Sequence, residues 1–166
     1  MYYELTDHFQ VGAGIERCWD FFSRAENLPL ITPPWLGFTL AMPPPLPTIG
    51  QDSVLDYTIR WFGMAVKWRT RIIDFTPPRQ FIDLQTRGPY ALWHHQHTFS
   101  AGENDDGVIC SDTVVYRLPL GPIGRLTDAI VRRQLIEIFT FRRRVIGEHL
   151  GGIQALQVAP TVRALR

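Results

Sequence analysis

The chain has 166 residues, 45% of them hydrophobic and 20% charged, with a formal net charge of +1. This composition excludes intrinsic disorder and suits one domain with a single sizeable core. A charge so close to neutral supplies no field for nucleic acid, and no run reaches the roughly 20 apolar residues that span a bilayer. The start, MYYELTDHF, holds no apolar stretch of signal-peptide length. Cys18 and Cys110 fit no zinc spacing and are too few for a disulfide scaffold, so a cytoplasmic protein is expected.

Residues 2–11 alternate loosely and predict a strand, broken by Gly12 and Gly14. In residues 15–23, Ile15, Cys18, Trp19 and Phe22 recur on one helix face. The placement of Cys18 on this apolar face reads as a buried, inert thiol. A second short helix is expected over residues 25–31, ended by Pro33 and Pro34. Residues 35–42 read as extended, with Trp35 either packed in the core or plugging a cavity mouth. The segment PPPLPTIG at 43–50 predicts a surface connection, because consecutive prolines cannot donate to a sheet. A proline-rich recognition segment is its alternative.

From residue 53 to 118 the pattern is strand after strand. Residues 53–61 carry Leu55, Tyr57, Ile59 and Trp61 on one side, and Gly63 turns the chain. Residues 66–75 carry Trp68, Thr70 and Ile72 inward, with Lys67, Arg69 and Arg71 outward. Strands at 81–87, 93–99 and 108–118 follow, separated by Pro77–Pro78, Gly88–Pro89 and the acidic hairpin end GENDDG at 102–107. A long helix is expected over 124–149, about 39 Å at 1.5 Å per residue. Its apolar stripe is Leu126, Ile130, Val131, Leu135, Ile138, Phe139, Val145 and Ile146. Arg132, Arg133, Arg143 and Arg144 read as a solvated face, with an anion or anionic-membrane patch as the alternative. Residues 1–150 then form one domain, and residues 151–166 a mobile tail. His8 and His149 stand alone and read as surface residues.

Strands grouped together and then one long helix predict an α+β fold: a curved antiparallel sheet of about six or seven strands around a C-terminal helix, with two short helices after the first strand. The segments ENLPLITPPWLGF (26–38), RGPYALWHHQHTF (87–99) and DTVVYRLPLG (112–121) also give the chain a resemblance. It resembles the SRPBCC superfamily of START domains, birch-pollen-allergen-like proteins and polyketide cyclase/dehydrase-like proteins, through small, mostly uncharacterised bacterial members. That resemblance implies a helix-grip fold with a deep cavity for a hydrophobic ligand. Because the superfold serves carriers and enzymes alike, it does not choose a function.

The most informative stretch is WHHQHTF at 93–99. Alternate strand residues share a face about 6.7 Å apart, so Trp93, His95, His97 and Phe99 point the same way. Phasing the neighbouring strands by their aromatics places Phe81, Asp83 and Gln85 beside them, and Cys110, Asp112, Val114 and Tyr116 on the other side. The cavity wall expected is Tyr57, Trp61, Trp68, Phe81, Gln85, Trp93, His95, His97, Phe99, Val114 and Tyr116, with Leu135 and Phe139 from the helix. Asp83, Gln85, His95, His97 and Asp112 form a polar band.

Three readings compete for this band. In the first it is a hydrogen-bonded network beside an apolar ligand, with Tyr57, Gln85, His95 and His97 holding the ligand's polar end. In the second, His95 or His97 is a general base oriented by Asp83 or Asp112, in a cyclase- or dehydratase-like enzyme for which the resembling group offers precedent. In the third, His-x-His and an aspartate hold a metal. Neither a metal nor a cofactor is expected, since the motif is weak alone. A protein-interaction module built on the Pro43–Pro47 loop and the basic helix is a further alternative. The expected partner is a small hydrophobic molecule, lipid-like or aromatic.

Overall fold

A computed structural model describes residues 1–102, 107–119, 127–152 and 159–165. Strand β1 (Tyr2–Val11) leads into helix α1 (Ile15–Phe22), followed by 3-10 turns at Ala25–Asn27 and Pro34–Leu36. Then come β2 (Thr39–Leu40), β3 (Val54–Trp61), β4 (Met64–Thr76), β5 (Gln80–Arg87), β6 (Leu92–Ala101) and β7 (Val108–Arg117). Helix α2 (Asp128–Leu150) and strand β8 (Thr161–Leu165) complete the order. The strands form one antiparallel sheet in the order β2-β3-β4-β5-β6-β7-β1-β8.

The architecture is the α+β helix-grip arrangement expected, with eight strands rather than six or seven. Two of the eight are short, and one of them, β2, falls within the stretch 35–42 expected to be extended. β2 pairs only two residues with β3, and β8 caps the free edge of β1 from Tyr2↔Leu165 to Thr6↔Thr161. Residues 161–165 are therefore strand where a mobile tail was expected. The helix expected at 25–31 is shortened to a 3-10 turn, and Pro34–Leu36 is a second such turn rather than extended chain. Pro29 falls between the two turns and helps to keep them short. The expected helix start at 124 and the tip of the hairpin at 103–106 lie outside the described residues. Helix α2 is continuous from Asp128.

The strands obey their pattern. Burial in β6 falls on Trp93, His95, His97 and Phe99, and in β7 on Val108, Cys110, Asp112, Val114 and Tyr116. Trp68, Thr70 and Ile72 of β4 are buried while Lys67, Arg69 and Arg71 are exposed. Register shifts between Arg69 and Thr70, and between Ile72 and Asp74, bend β4 against β5. The β3–β4 hairpin turns on Phe62 and Gly63, both at positive φ, in the manner of a tight two-residue loop. At the other end, Gly107 has φ +75°, and a Cβ there would meet the Val11 carbonyl oxygen at 1.9 Å, so only glycine fits.

Helix α2 grips the concave face. Val131, Leu135 and Phe139, each one turn apart, bury against Tyr3, Leu5, Trp68, Trp93, Val114 and Tyr116. A second cluster joins α1 to the far end of the sheet through Cys18, Phe22, Phe9, Phe81 and Phe99, with Val145, Ile146 and Leu150 of α2. Each such fully buried apolar side chain contributes about 1.5–3 kcal/mol before entropy is subtracted. Two expectations for α2 fail. Ile130 is 53% exposed, and Arg143, expected in solvent, is buried and ion-paired to Asp7 of β1. An isolated buried guanidinium is prohibitively expensive, and the carboxylate opposite makes it tolerable. His8 and His149 are exposed as expected. Trp35 is 46% exposed, so it is not a core residue.

Candidate functional site

Between the sheet, α1, the two 3-10 turns and α2 lies a pocket of about 170 Å3. Its wall is largely aromatic and aliphatic. Tyr57, Trp61, Trp68, Phe81, Trp93, His95 and His97 line it from the sheet, and Leu135 and Phe139 from the helix, as the phasing predicts. Tyr57 stacks on Trp68 at 5.8 Å between centroids, and Trp68 meets Trp93 edge-on at 5.4 Å. Burial pushes the Tyr57 phenol well above its ordinary value, so it is a neutral hydroxyl.

Four expected residues do not line the pocket. Gln85 turns its amide onto the backbone of Tyr90, donating from Nε2 to the carbonyl at 2.7 Å and accepting from the Tyr90 N–H at 3.3 Å. Phe99 is consumed by packing with Phe22 and Trp19, at 4.9 and 5.7 Å between centroids. Val114 and Tyr116 face inward, but beneath α2, where Tyr116 stacks on Tyr3 at 5.3 Å. Trp35 does not reach the pocket either, although its neighbour Leu36 does.

The polar part of the wall comes from register. Asp83 stands opposite His95 across β5–β6, and His97 stands opposite Asp112 across β6–β7. Cross-strand neighbours and their diagonals are within side-chain reach, so the four groups close into a square. His95 Nε2 donates to Asp112 Oδ1 at 2.9 Å, and His97 Nε2 donates to Asp83 Oδ2 at 3.1 Å. His97 Nδ1 lies 2.7 Å from Asp112 Oδ1, off the line a hydrogen bond requires, and His95 Nδ1 lies 3.4 Å from Asp83 Oδ2. The imidazole centroids are 3.8 Å apart. Thr70 Oγ1 donates to Asp83 Oδ1 at 3.3 Å. Asp83, with 15% of its side chain exposed, belongs to the pocket wall; Asp112, at 3%, lies behind it.

Sequence reasoning missed Arg142, which also lines the pocket. Its guanidinium sits 3.9 Å from Asp112 Oδ2, and 5.7 and 5.9 Å from the rings of Phe22 and Phe139. Its Nε makes no hydrogen bond among the described residues. The signal was present in the helix period, since 142 follows Leu135, Ile138 and Phe139 at i+7, i+4 and i+3. Tyr90, in the turn before β6, was likewise missed and lines the pocket.

Opposite charges decide the ionisation. Burial pushes Asp112 up, but the charges of Arg142 and His97 and the close contacts of both imidazoles hold it well below the usual carboxylate range. Asp83 is likewise held below that range, because the His97 hydrogen bond and the neighbouring cations outweigh burial. Burial also works against a charged His97, yet Asp112 and Asp83 raise it above an ordinary histidine. His95 goes the other way: burial and the charge of His97 lower it to about 4. The two imidazoles therefore differ: His97 is shifted toward its charged form, and His95 is neutral at pH 7. Cys18 Sγ and Cys110 Sγ are 3.4 Å apart, both buried, and the Cys110 thiol is pushed well up by that contact and by burial, so it is not a nucleophile.

No known family's sequence pattern matches the chain, and no curated protein does. Solved structures do match. The di-domain ARO/CYC StfQ of the steffimycin biosynthetic pathway superposes with a TM-score of 0.69 at 14% identity, over 90% of this chain and 51% of StfQ. The chain thus spans about half the length of that relative. TTHA0849 from Thermus thermophilus gives 0.64 at 16% identity, over 89% and 96% of the two chains. A START superfamily protein from Mycobacterium smegmatis gives 0.62 at 12%, over 89% and 97%. These likenesses show the fold: the chain has the helix-grip architecture of START-like and polyketide cyclase-like proteins. Among the described residues, no helix is long and apolar enough to cross a membrane.

Proposed function

We propose that this chain binds a small, mainly apolar molecule with aromatic character, lipid-like or polyketide-like, in the pocket under α2. The observation that carries this reading is the wall itself: a largely aromatic and aliphatic pocket with a polar patch formed by Asp83, His95, His97 and Arg142. Such a site buries a ligand's apolar body and fixes one polar end. The polar end is placed beside Arg142 and the Asp83–His97 pair, with Thr70 and Tyr57 on the next two strands. The START and ARO/CYC neighbours support the reading at the level of the fold.

The test uses the three pocket tryptophans, Trp61, Trp68 and Trp93, as reporters. Titration with a two-ring aromatic such as 2-naphthol should quench their fluorescence saturably, and solvent extraction of purified protein should release a bound hydrophobic compound. Absence of both results would overturn carriage by this pocket. A second reading is favoured by the hydrogen-bonded Asp83–His97 pair at the pocket wall, 3.1 Å apart, which is the geometry of an oriented acid–base group. On that reading the pocket takes a polyketone or hydroxylated substrate and His97 or His95 exchanges its proton, as in a cyclase or dehydratase. Turnover of a bound compound that stops in His97→Gln, while binding persists, separates it from carriage.

A further inference from the structure

We propose that Asp83, His95 and His97 form a binding site for one divalent first-row transition cation, with Asp112 as the carboxylate that orients both histidines. The three residues belong to the polar patch of the pocket, but binding of the cation does not require that a ligand be carried there. One ligand atom from each of the three residues falls within a 4.8 Å sphere of mutual separation. His95 Nδ1 and His97 Nε2 lie 3.4 and 3.1 Å from the same oxygen, Asp83 Oδ2. Ligand atoms bound about 2.0–2.1 Å from one ion, at octahedral to tetrahedral angles, are about 2.9–3.4 Å apart. The two nitrogen-to-oxygen separations already fall in that range, and the three atoms together lie within 4.8 Å of one another.

The placement of the ring nitrogens in the square points the same way. Each histidine turns one nitrogen toward Asp83 and its other nitrogen toward Asp112, at 2.9 Å for His95 Nε2 and 2.7 Å for His97 Nδ1. A carboxylate behind the far nitrogen of each ligating imidazole is the usual support of a histidine metal site, because it fixes the ring and its tautomer. On the near side an imidazole nitrogen faces a carboxylate oxygen at 3.4 Å without a hydrogen bond, a gap that a cation bound to both would fill. A proton serves one such contact. One cation serves both, and leaves each imidazole neutral with its N–H toward Asp112.

Charge and access also fit. Two carboxylates, Asp83 and Asp112, balance a divalent ion, while the Arg142 guanidinium is drawn to Asp112 at 3.9 Å. Asp83, His95 and His97 all reach the pocket wall, so coordination positions not taken by the protein open to the pocket. Two imidazoles and one carboxylate with open positions suit iron(II), cobalt(II), nickel(II) or zinc(II), and do not suit calcium or magnesium.

The experiment uses full-length, untagged protein stripped with a chelator, titrated with zinc by calorimetry and with cobalt(II) by absorption. The expected result is one ion per chain with a Kd of about 10 µM or tighter, a rise in Tm, and d–d bands for cobalt. Long-range 1H–15N spectra of the zinc form should show His95 coordinating through Nδ1 and His97 through Nε2. Asp83→Asn and His97→Gln should abolish stoichiometric binding, and Asp112→Asn should weaken it about 10–100-fold. Coordination through the opposite ring nitrogens would overturn the assignment, as would binding that survives in the His95→Gln/His97→Gln double variant. So would the absence of saturable binding to the wild-type chain below about 100 µM metal. The nitrogen assignment needs only wild-type protein, so a variant that fails to fold does not shelter the proposal.

Discussion

His97 stands directly opposite Asp112 across the β6–β7 pair, yet it gives its well-aligned hydrogen bond to Asp83, on the strand to its other side. Asp112 instead accepts from His95, two residues along β6. The polar square is thus a diagonal arrangement across three strands, and no member has a partner on its own strand.

The first consequence concerns Asp112. It is buried and faces His95, His97 and Arg142 at 2.9, 2.7 and 3.9 Å. Removing one member of a buried charged cluster leaves the others uncompensated and costs about 3–5 kcal/mol. Asp112→Ala should therefore be destabilised by about 3–5 kcal/mol in urea denaturation, and Asp112→Asn, which keeps one acceptor, by less. A loss under about 1 kcal/mol for the alanine variant would mean that the cluster is wet or already neutral.

Asp7 behaves oppositely, and its effect appears in the pH dependence. Burial raises its carboxyl from 3.8 to about 6; the Arg143 hydrogen bond opposes this, Asp112 across the β1–β7 pair adds to it, and the charges of Arg143 and Arg142 lower it. A carboxyl raised in the folded state binds its proton more tightly there than when unfolded. Its contribution to stability is complete below about pH 4 and is lost as the pH rises through about 6. The stability difference between wild type and Asp7→Asn should shrink by an order of 2–3 kcal/mol across that window, read by denaturation at a series of pH values. A difference that grows with pH would show that the Arg143 ion pair outweighs burial.

The polar square was legible in the sequence because strand periodicity is rigid. Once Trp93 and Phe99 mark the inner face of β6, His95 and His97 must share it, and the aromatics of β5 and β7 phase Asp83 and Asp112 alongside. What the sequence concealed depended on partners distant along the chain. Arg143 belongs in the core only because Asp7, 136 residues earlier, faces it. Gln85 lies on the inward face of its strand, but the turn at Tyr90 captures its amide. β8 carries only five residues with little burial, so no alternation announces it; the free edge of β1 is what recruits it. The 3-10 turns were hidden by prolines whose effect is to shorten helices without fixing what replaces them.

Arg142 gives a prediction about ligand charge. Its guanidinium lines a mainly apolar wall and, among the described residues, its Nε makes no hydrogen bond and only a loose contact to Asp112. A hydrogen bond to a charged group contributes about 1.5–3 kcal/mol. Arg142→Met, which keeps the apolar stem over Phe22 and Phe139, should weaken binding of 2-naphthoate about 10–100-fold. Binding of the neutral 2-naphthamide should change little. Equal loss for both probes would make Arg142 a packing residue, and no loss for either would remove it from recognition.

Deleting the residues after Gly152 tests what β8 does. Its side-chain contacts include an exposed ion pair, Arg163 to Glu4 at 2.6 Å, one hydrogen bond between Thr6 and Thr161 at 2.9 Å, and the packing of half-buried Val162 against the cluster of Tyr3 and Leu5. Exposed contacts of this kind contribute about 0–1 kcal/mol each, so the loss of stability should be modest, about 1–2 kcal/mol with the backbone pairing included. The larger effect is on association. Without β8, β1 presents an unpaired edge from Tyr2 to Thr6, in a strand whose inner face is the buried pair Tyr3 and Leu5. Open edges of this sort template pairing with another chain. The truncated protein should self-associate with rising concentration in sedimentation velocity, and Thr6→Lys on the truncated background should reverse it, because an edge lysine resists strand addition. A truncated chain that stays monomeric at every concentration would show that β1 is protected by something other than β8.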